Sequence, residues 1–221
     1  MKKIEVVQDI LEANESIARG NKQLLDQHKV FAVNIMSAPG SGKTSLILKI
    51  MAQLKGKLKT AVIEGDIAST VDAEKVQEQA DAVVQINTRH MPESCALIAA
   101  MVDQALKSLP LEELDLVLIE NVGNLVCPSE FALGEHMRLV ISSLPEGHDK
   151  PLKYPMIFAD AHAVVVNKMD LLPYVDFDLG AFRRSVEGMN PGVTIFQTSC
   201  KTDEGIEEFS SWLLQQVKAG N

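Results

Sequence analysis

The stretch Ser37-Ala38-Pro39-Gly40-Ser41-Gly42-Lys43-Thr44 constrains this chain more than any other. Before it runs Phe31-Ala32-Val33-Asn34-Ile35-Met36, which reads as a buried strand. After it, Leu46, Ile47 and Ile50 fall on one helical face. Strand, glycine loop and helix form the context that a phosphate-binding loop requires. The glycines let the backbone curl so that several N–H groups point at one anion. The helix N-terminus behind them adds a partial positive charge. Gly40, Ser41, Gly42, Lys43, Thr44 and Ser45 are therefore the expected phosphate contacts. Lys43 reaches the terminal phosphates, and the Thr44 hydroxyl is a ligand for Mg²⁺. The strict pattern begins with Gly, and this chain has Ser37 there.

The rest of the chain alternates short apolar runs with helical patterns. Strands are expected at 31–36, 60–66, 81–86, 114–120, 137–142, 161–167 and 193–197. One or two helices are expected over 4–27, with Gly20-Asn21 a candidate break or bend, another over 92–108 with Pro92 near the start, and a last one over 203–218. The segment 144–155, rich in Pro, Gly and charge, reads as a mobile loop. This pattern predicts an α/β fold of the P-loop NTPase type, with a mostly parallel seven-stranded sheet flanked by helices. The expectation is a single domain over 1–221, opening on a helical segment at 1–28.

Composition narrows the partners. With 46% hydrophobic residues in 221, the chain can bury a proper core. A net charge of −9 argues against nucleic acid or an anionic membrane as main partner. The longest apolar run, residues 95–102, is far short of a membrane span. The first residues run straight into an amphipathic pattern and show no leader. The three cysteines, odd in number and widely spaced, point to reduced thiols and a cytoplasmic protein.

In open parallel sheets, ligands bind at the carboxyl ends of the strands. Asp66, Glu120 and Asn167-Lys168-Met169-Asp170 all fall at such ends, as the phosphate loop does. Asp170 suits guanine, because its carboxylate accepts from the ring N1–H and the exocyclic amine, which adenine does not present together. Asn167 bonds other polar edges, and the Lys168 stem lies across the base. Ser199-Cys200-Lys201, after the last strand, is placed to close over the base with backbone N–H groups. Asp66 and Glu120 are expected in the Mg²⁺ shell with Thr44, directly or through water. Asp72 either orients the attacking water or caps a helix. Lys43, Asp66, Asp72 and Glu120 are thus the candidate catalytic group. Cys95 and Cys127 either bind a borderline ion such as Ni²⁺ or Zn²⁺ as thiolates, or are buried structural cysteines.

Taken together, these stretches resemble the HypB family, the nickel-incorporation GTPases of hydrogenase maturation. The resemblance covers about residue 30 to the C-terminus. Its most specific part is Glu120-Asn121-Val122-Gly123-Asn124-Leu125-Val126-Cys127-Pro128, which generic GTPases do not carry. It implies a GTPase cycling between GTP and GDP with Mg²⁺, which dimerises with GTP and holds a metal at the dimer interface. It also implies a HypA-type nickel partner and a hydrogenase large subunit as recipient. Cys95 and Cys127 match the family's metal motif, but Ala96 stands where that motif has His. His90, in a longer segment before it, is either a replacement ligand or a loop residue. The family's cysteine-rich amino-terminal motif and His-rich tail do not occur in this sequence. Rival readings are a urease-type nickel-insertion GTPase, a small-molecule kinase, and a metal-binding scaffold without turnover.

Overall fold

In the computed structural model, residues 6–65, 70–86 and 95–220 are described. Asp66, His90 and the Pro92 helix start lie outside them. The chain opens on α1 (Val6–His28) and enters β1 (Phe31–Ser37), α2 (Lys43–Leu54) and β2 (Thr60–Glu64). Then come α3 (Thr70–Gln79), β3 (Ala82–Gln85), α4 (Ala99–Leu106), β4 (Leu116–Glu120) and the single turn α5 (Cys127–Glu130). The second half holds β5 (Met137–Ser143), α6 (Lys150–Lys153), α7 (Pro155–Ala159) and β6 (Ala163–Asn167). It ends with α8 (Leu179–Met189), β7 (Thr194–Gln197) and α9 (Ile206–Gly220).

The seven strands form one parallel sheet in the order β3-β2-β4-β1-β5-β6-β7. Five of them are near-continuously apolar, as burial on both faces demands. Along β1 the side chains alternate. Val33 and Ile35 join Leu46, Ile47, Ile50, Phe209 and Leu213 under α2 and α9. Ala32 packs on the opposite face with Leu25 of α1 and Val102 of α4. Beyond β5 that second face is covered by Ile157, Phe158, Phe182 and Val186 of α7 and α8. The chain winds one way from β1 to reach β2 and β3, and the other way to reach β6 and β7. The crevice where winding reverses opens at the carboxyl end of β1, which is where the phosphate loop sits. Among the described residues, no helix is long and apolar enough to cross a membrane.

Three helical expectations need correction. First, α1 is continuous through Gly20-Asn21. Its buried stripe is Asn14, Ala18, Asn21 and Leu25, whereas Ile10 and Ile17 of the expected apolar face are 54% and 38% exposed. Second, α4 starts at Ala99, not near Pro92, because Ile98 is extended (φ −117°, ψ 160°). The first N–H of α4 is capped from α1, with Ala99 N donating to Asn14 Oδ1 at 2.8 Å. Third, residues 144–155 fold into short helical turns. Ser143 and Glu146 form a reciprocal capping box, in which the Ser143 N–H and Oγ donate to Glu146 Oε1 at 2.9 and 2.7 Å. In addition, α8 was not expected at all. Its signal was in the sequence all the same, since Leu179, Phe182, Val186 and Met189 keep a 3-4-3 spacing behind the Asp178 cap.

Candidate functional site

The phosphate loop turns because Gly40 and Gly42 hold positive φ, 75° and 99°. Ser37, the departure from the strict pattern, is the last residue of β1 and is fully buried. Inside the loop, Ser41 Oγ donates to Ala38 O at 2.9 Å. Lys43 is the first residue of α2 and only 5% exposed. Next to it, Thr44 Oγ1 donates to Glu120 Oε1 at 2.8 Å, which joins the helix start to the end of β4. The loop after β4 closes on the other side. A Cβ on Gly123 would come within 3.2 Å of the Pro39 backbone, so glycine lets the two loops touch.

The residues expected to read the base meet this loop directly. Asn167 ends β6 and donates from Nδ2 to Ser41 O at 2.9 Å. Lys168 has a left-handed backbone, φ 64°, and its Nζ donates to Gly40 O at 2.6 Å. A strained lysine at this point is the kind of outlier that marks a functional turn. Asp170 is oriented by the last loop, where Ser199 Oγ donates to its Oδ1 at 2.6 Å and Lys201 Nζ lies 3.9 Å from Oδ2. The backbone locks the two loops together, with Met169 N donating to Thr198 O at 3.0 Å. Cys200 Sγ lies 3.6 Å from Asn167 Oδ1, and burial pushes its thiol pKa up, so it stays protonated at neutral pH. A recess of about 460 Å³ opens between α2 and these loops, lined by Ser45, Leu48, Lys49, Lys168, Asp170 and Lys201. A larger recess of about 520 Å³ lies at the opposite, amino-terminal end of the sheet, between α1 and Arg138 and His162, and holds none of these groups.

The cysteines differ from expectation. Cys95 and Cys127 are joined as a disulfide within the chain, with Cα atoms 5.9 Å apart. Reduced, separate thiols had been expected. The loop after β4 brings them together: Asn121 Oδ1 accepts from Leu97 N at 3.1 Å, and Asn124 Nδ2 donates to Cys127 Sγ at 3.6 Å. Among the described residues, no His, Asp or Glu completes a cluster of three with them. Asp72 falls in α3, on the helix that follows β2.

One carboxylate received no role from the sequence. Glu64 ends β2, is 1% exposed, and pairs in register with Glu120 of β4. Only the strand order places the two side by side.

Residues 31–197 match the family described as CobW/HypB/UreG, nucleotide-binding domain. A hydrogenase maturation factor HypB from Rhizobium leguminosarum is 43% identical over 95% of this chain and 69% of its own length. A probable hydrogenase maturation factor HypB from Methanocaldococcus jannaschii is 40% identical over 97% of this chain and 96% of its own. The crystal structure of HypB from Helicobacter pylori in complex with nickel superposes with a TM-score of 0.87 at 34% identity. That superposition covers 94% of this chain and 96% of the other.

Proposed function

Since this chain belongs to the HypB family of P-loop nucleotide-binding proteins, we propose that it is a GTP-hydrolysing nickel metallochaperone serving [NiFe]-hydrogenase maturation. The observation that carries this reading is the contact between base-reading turn and phosphate loop, made by Asn167 on Ser41 O and Lys168 on Gly40 O. With Asp170 fixed by Ser199, guanine and phosphates are recognised by one connected unit. Asp170 accepts from the two N–H edges of guanine. The loop N–H groups and Lys43 hold the terminal phosphates and stabilise charge as the γ-phosphoryl is transferred to water. Asp72 is assigned to orient that water, and Asp66 to the magnesium shell with Thr44 and Glu120. Thr44 and Glu120 offer hard oxygen donors, the set that suits magnesium. When bound, that ion offsets charge on the β- and γ-phosphates.

Nickel is the cargo. Once reduced, Cys95 and Cys127 present two thiolates per chain, and a second copy across a two-fold axis makes four. Four thiolates suit square-planar Ni²⁺ or tetrahedral Zn²⁺. GTP-linked dimerisation then gathers the cargo site, and its opening hands the metal to a hydrogenase large subunit, with a HypA-type protein as donor.

The test is affinity for GTP against ATP in the native protein and in Asp170→Asn, with metal content measured before and after reduction. Guanine preference should be strong and should vanish in Asp170→Asn. Lys43→Ala should lose at least about 100-fold in turnover without unfolding. Nickel should bind only the reduced protein, at one ion per dimer. Equal affinity of the native protein for GTP and ATP would refute the reading.

A further inference from the structure

The parallel register sets Glu64 of β2 beside Glu120 of β4. Side chains alternate along a strand, and Val62 and Leu118, two residues earlier, both lie in the core beneath α2. Glu64 and Glu120 therefore project to the same side of the sheet, the side on which α2 begins. Neighbouring strands run about 4.8 Å apart. The two carboxylates are 1% and 4% exposed, so their charges are held close together and out of bulk water. Like charges so placed repel unless positive charge offsets them. Lys43, at the start of α2, contributes one positive charge to this end of the sheet. Two carboxylates beside the phosphates of a nucleotide favour a hard cation at this end of the sheet.

Glu120 already meets Thr44, the residue whose hydroxyl faces the ion in a phosphate loop. Glu64 stands one strand farther from β1, on the far side of Glu120. Its position suits the outer layer of a magnesium site better than direct ligation, because Mg²⁺ keeps several waters when bound. The backbone between these two strands is fixed. Gly65 N donates to Glu120 O at 2.8 Å. A Cβ on Gly65 would come within 2.5 Å of the Leu97 side chain, so glycine lets Leu97 pack against the end of β2.

We propose that Glu64 is a positioning residue for magnesium, holding the ion's bound water from the strand next to Glu120. This rests on the nucleotide reading given above. Losing such an outer partner weakens a metal site by about 10- to 100-fold. A residue needed only for the fold would instead weaken nucleotide binding equally with and without the ion.

The experiment measures the dissociation constant of GDP in excess EDTA and across a series of buffered Mg²⁺ concentrations. It compares the native protein with Glu64→Gln and Glu64→Asp. The native protein should bind GDP more tightly as Mg²⁺ rises. In Glu64→Gln, the Mg²⁺ concentration that gives half of this tightening should rise about 10-fold or more. Affinity in EDTA should not fall. Glu64→Asp, which keeps the charge, should recover part of the shift and supplies the result if the amide variant does not fold. Native Mg²⁺ dependence in both variants would overturn the role of Glu64 and leave the nucleotide reading standing. So would an equal loss of affinity in EDTA and in Mg²⁺. Native GDP binding that ignores Mg²⁺ would overturn the cation site itself, and this inference with it.

Discussion

Gly42 holds φ at 99° as the cap of α2, and a Cβ there would lie 2.6 Å from Asn167 Nδ2. That amide is the one bonded to Ser41 O, so a methyl group at residue 42 strains the loop and displaces its brace at the same time. Gly42→Ala should cost about 1–3 kcal/mol of stability and weaken GDP binding. Calorimetry of the free and GDP-bound protein checks this, and native values for both would count against the assigned loop geometry. At this scale the sequence was informative wherever function is written in adjacent residues. The phosphate loop and the Asn167–Asp170 turn were legible because each is a short run with its own spacing. Glu64 was not, because its meaning comes from a neighbour on another strand. The pairing of Cys95 with Cys127 was hidden for the same reason, since they stand 32 positions apart in the chain.

Between elements, the seam that joins α1 to the body is polar where a hydrophobic stripe was expected. Asn21 Nδ2 donates to Ala99 O at 2.9 Å and Leu133 O at 2.8 Å, and Asn14 Nδ2 to Ala132 O at 2.8 Å. One helix thereby holds both the start of α4 and the approach to β5. Asn21→Ala leaves two buried carbonyls without that donor and should cost about 1–3 kcal/mol. Urea denaturation reads the loss. An unchanged urea midpoint would refute the structural weight given to Asn21. Apolar periodicity misjudged this helix because hydrogen bonds from asparagine do the docking. It also placed the start of α4 too early, since the group that caps that helix lies 85 residues away in the chain. The strands were easier to read, because burial on both faces leaves little choice of residue.

Across the whole molecule, two histidines fasten the amino-terminal ends of the strands. Ala32 N donates to His136 Nδ1 and Arg138 N donates to His162 Nδ1, each at 3.0 Å. Both rings must carry an unprotonated Nδ1 to accept, and His136 Nε2 lies 2.8 Å from Asp26 Oδ1. Burial holds both pKa values below the ordinary histidine range. The unfolded chain therefore takes up protons first, near pH 6.5. The stabilisation is complete above that pH and is lost as pH falls from there through the lower folded values. Melting temperature should drop between pH 7.5 and about pH 5.5. The drop should be smaller in His136→Gln/His162→Gln, and an identical slope in that variant would refute the assignment. The strand order carries a consequence for synthesis. β1 sits between β4 and β5, so both of its partners emerge from the ribosome long after it does. The gap from Ser37 to Leu116 corresponds to roughly 4–16 s of translation at typical rates. Nascent chains arrested near residue 110 should be digested readily by protease, and those arrested past β7 should resist. Equal resistance at both lengths would show an earlier pairing. Until β4 arrives, a strand that is fully buried in the native sheet is exposed along both edges, so the nascent chain stays open to wrong pairing for longer than one that pairs its strands in order.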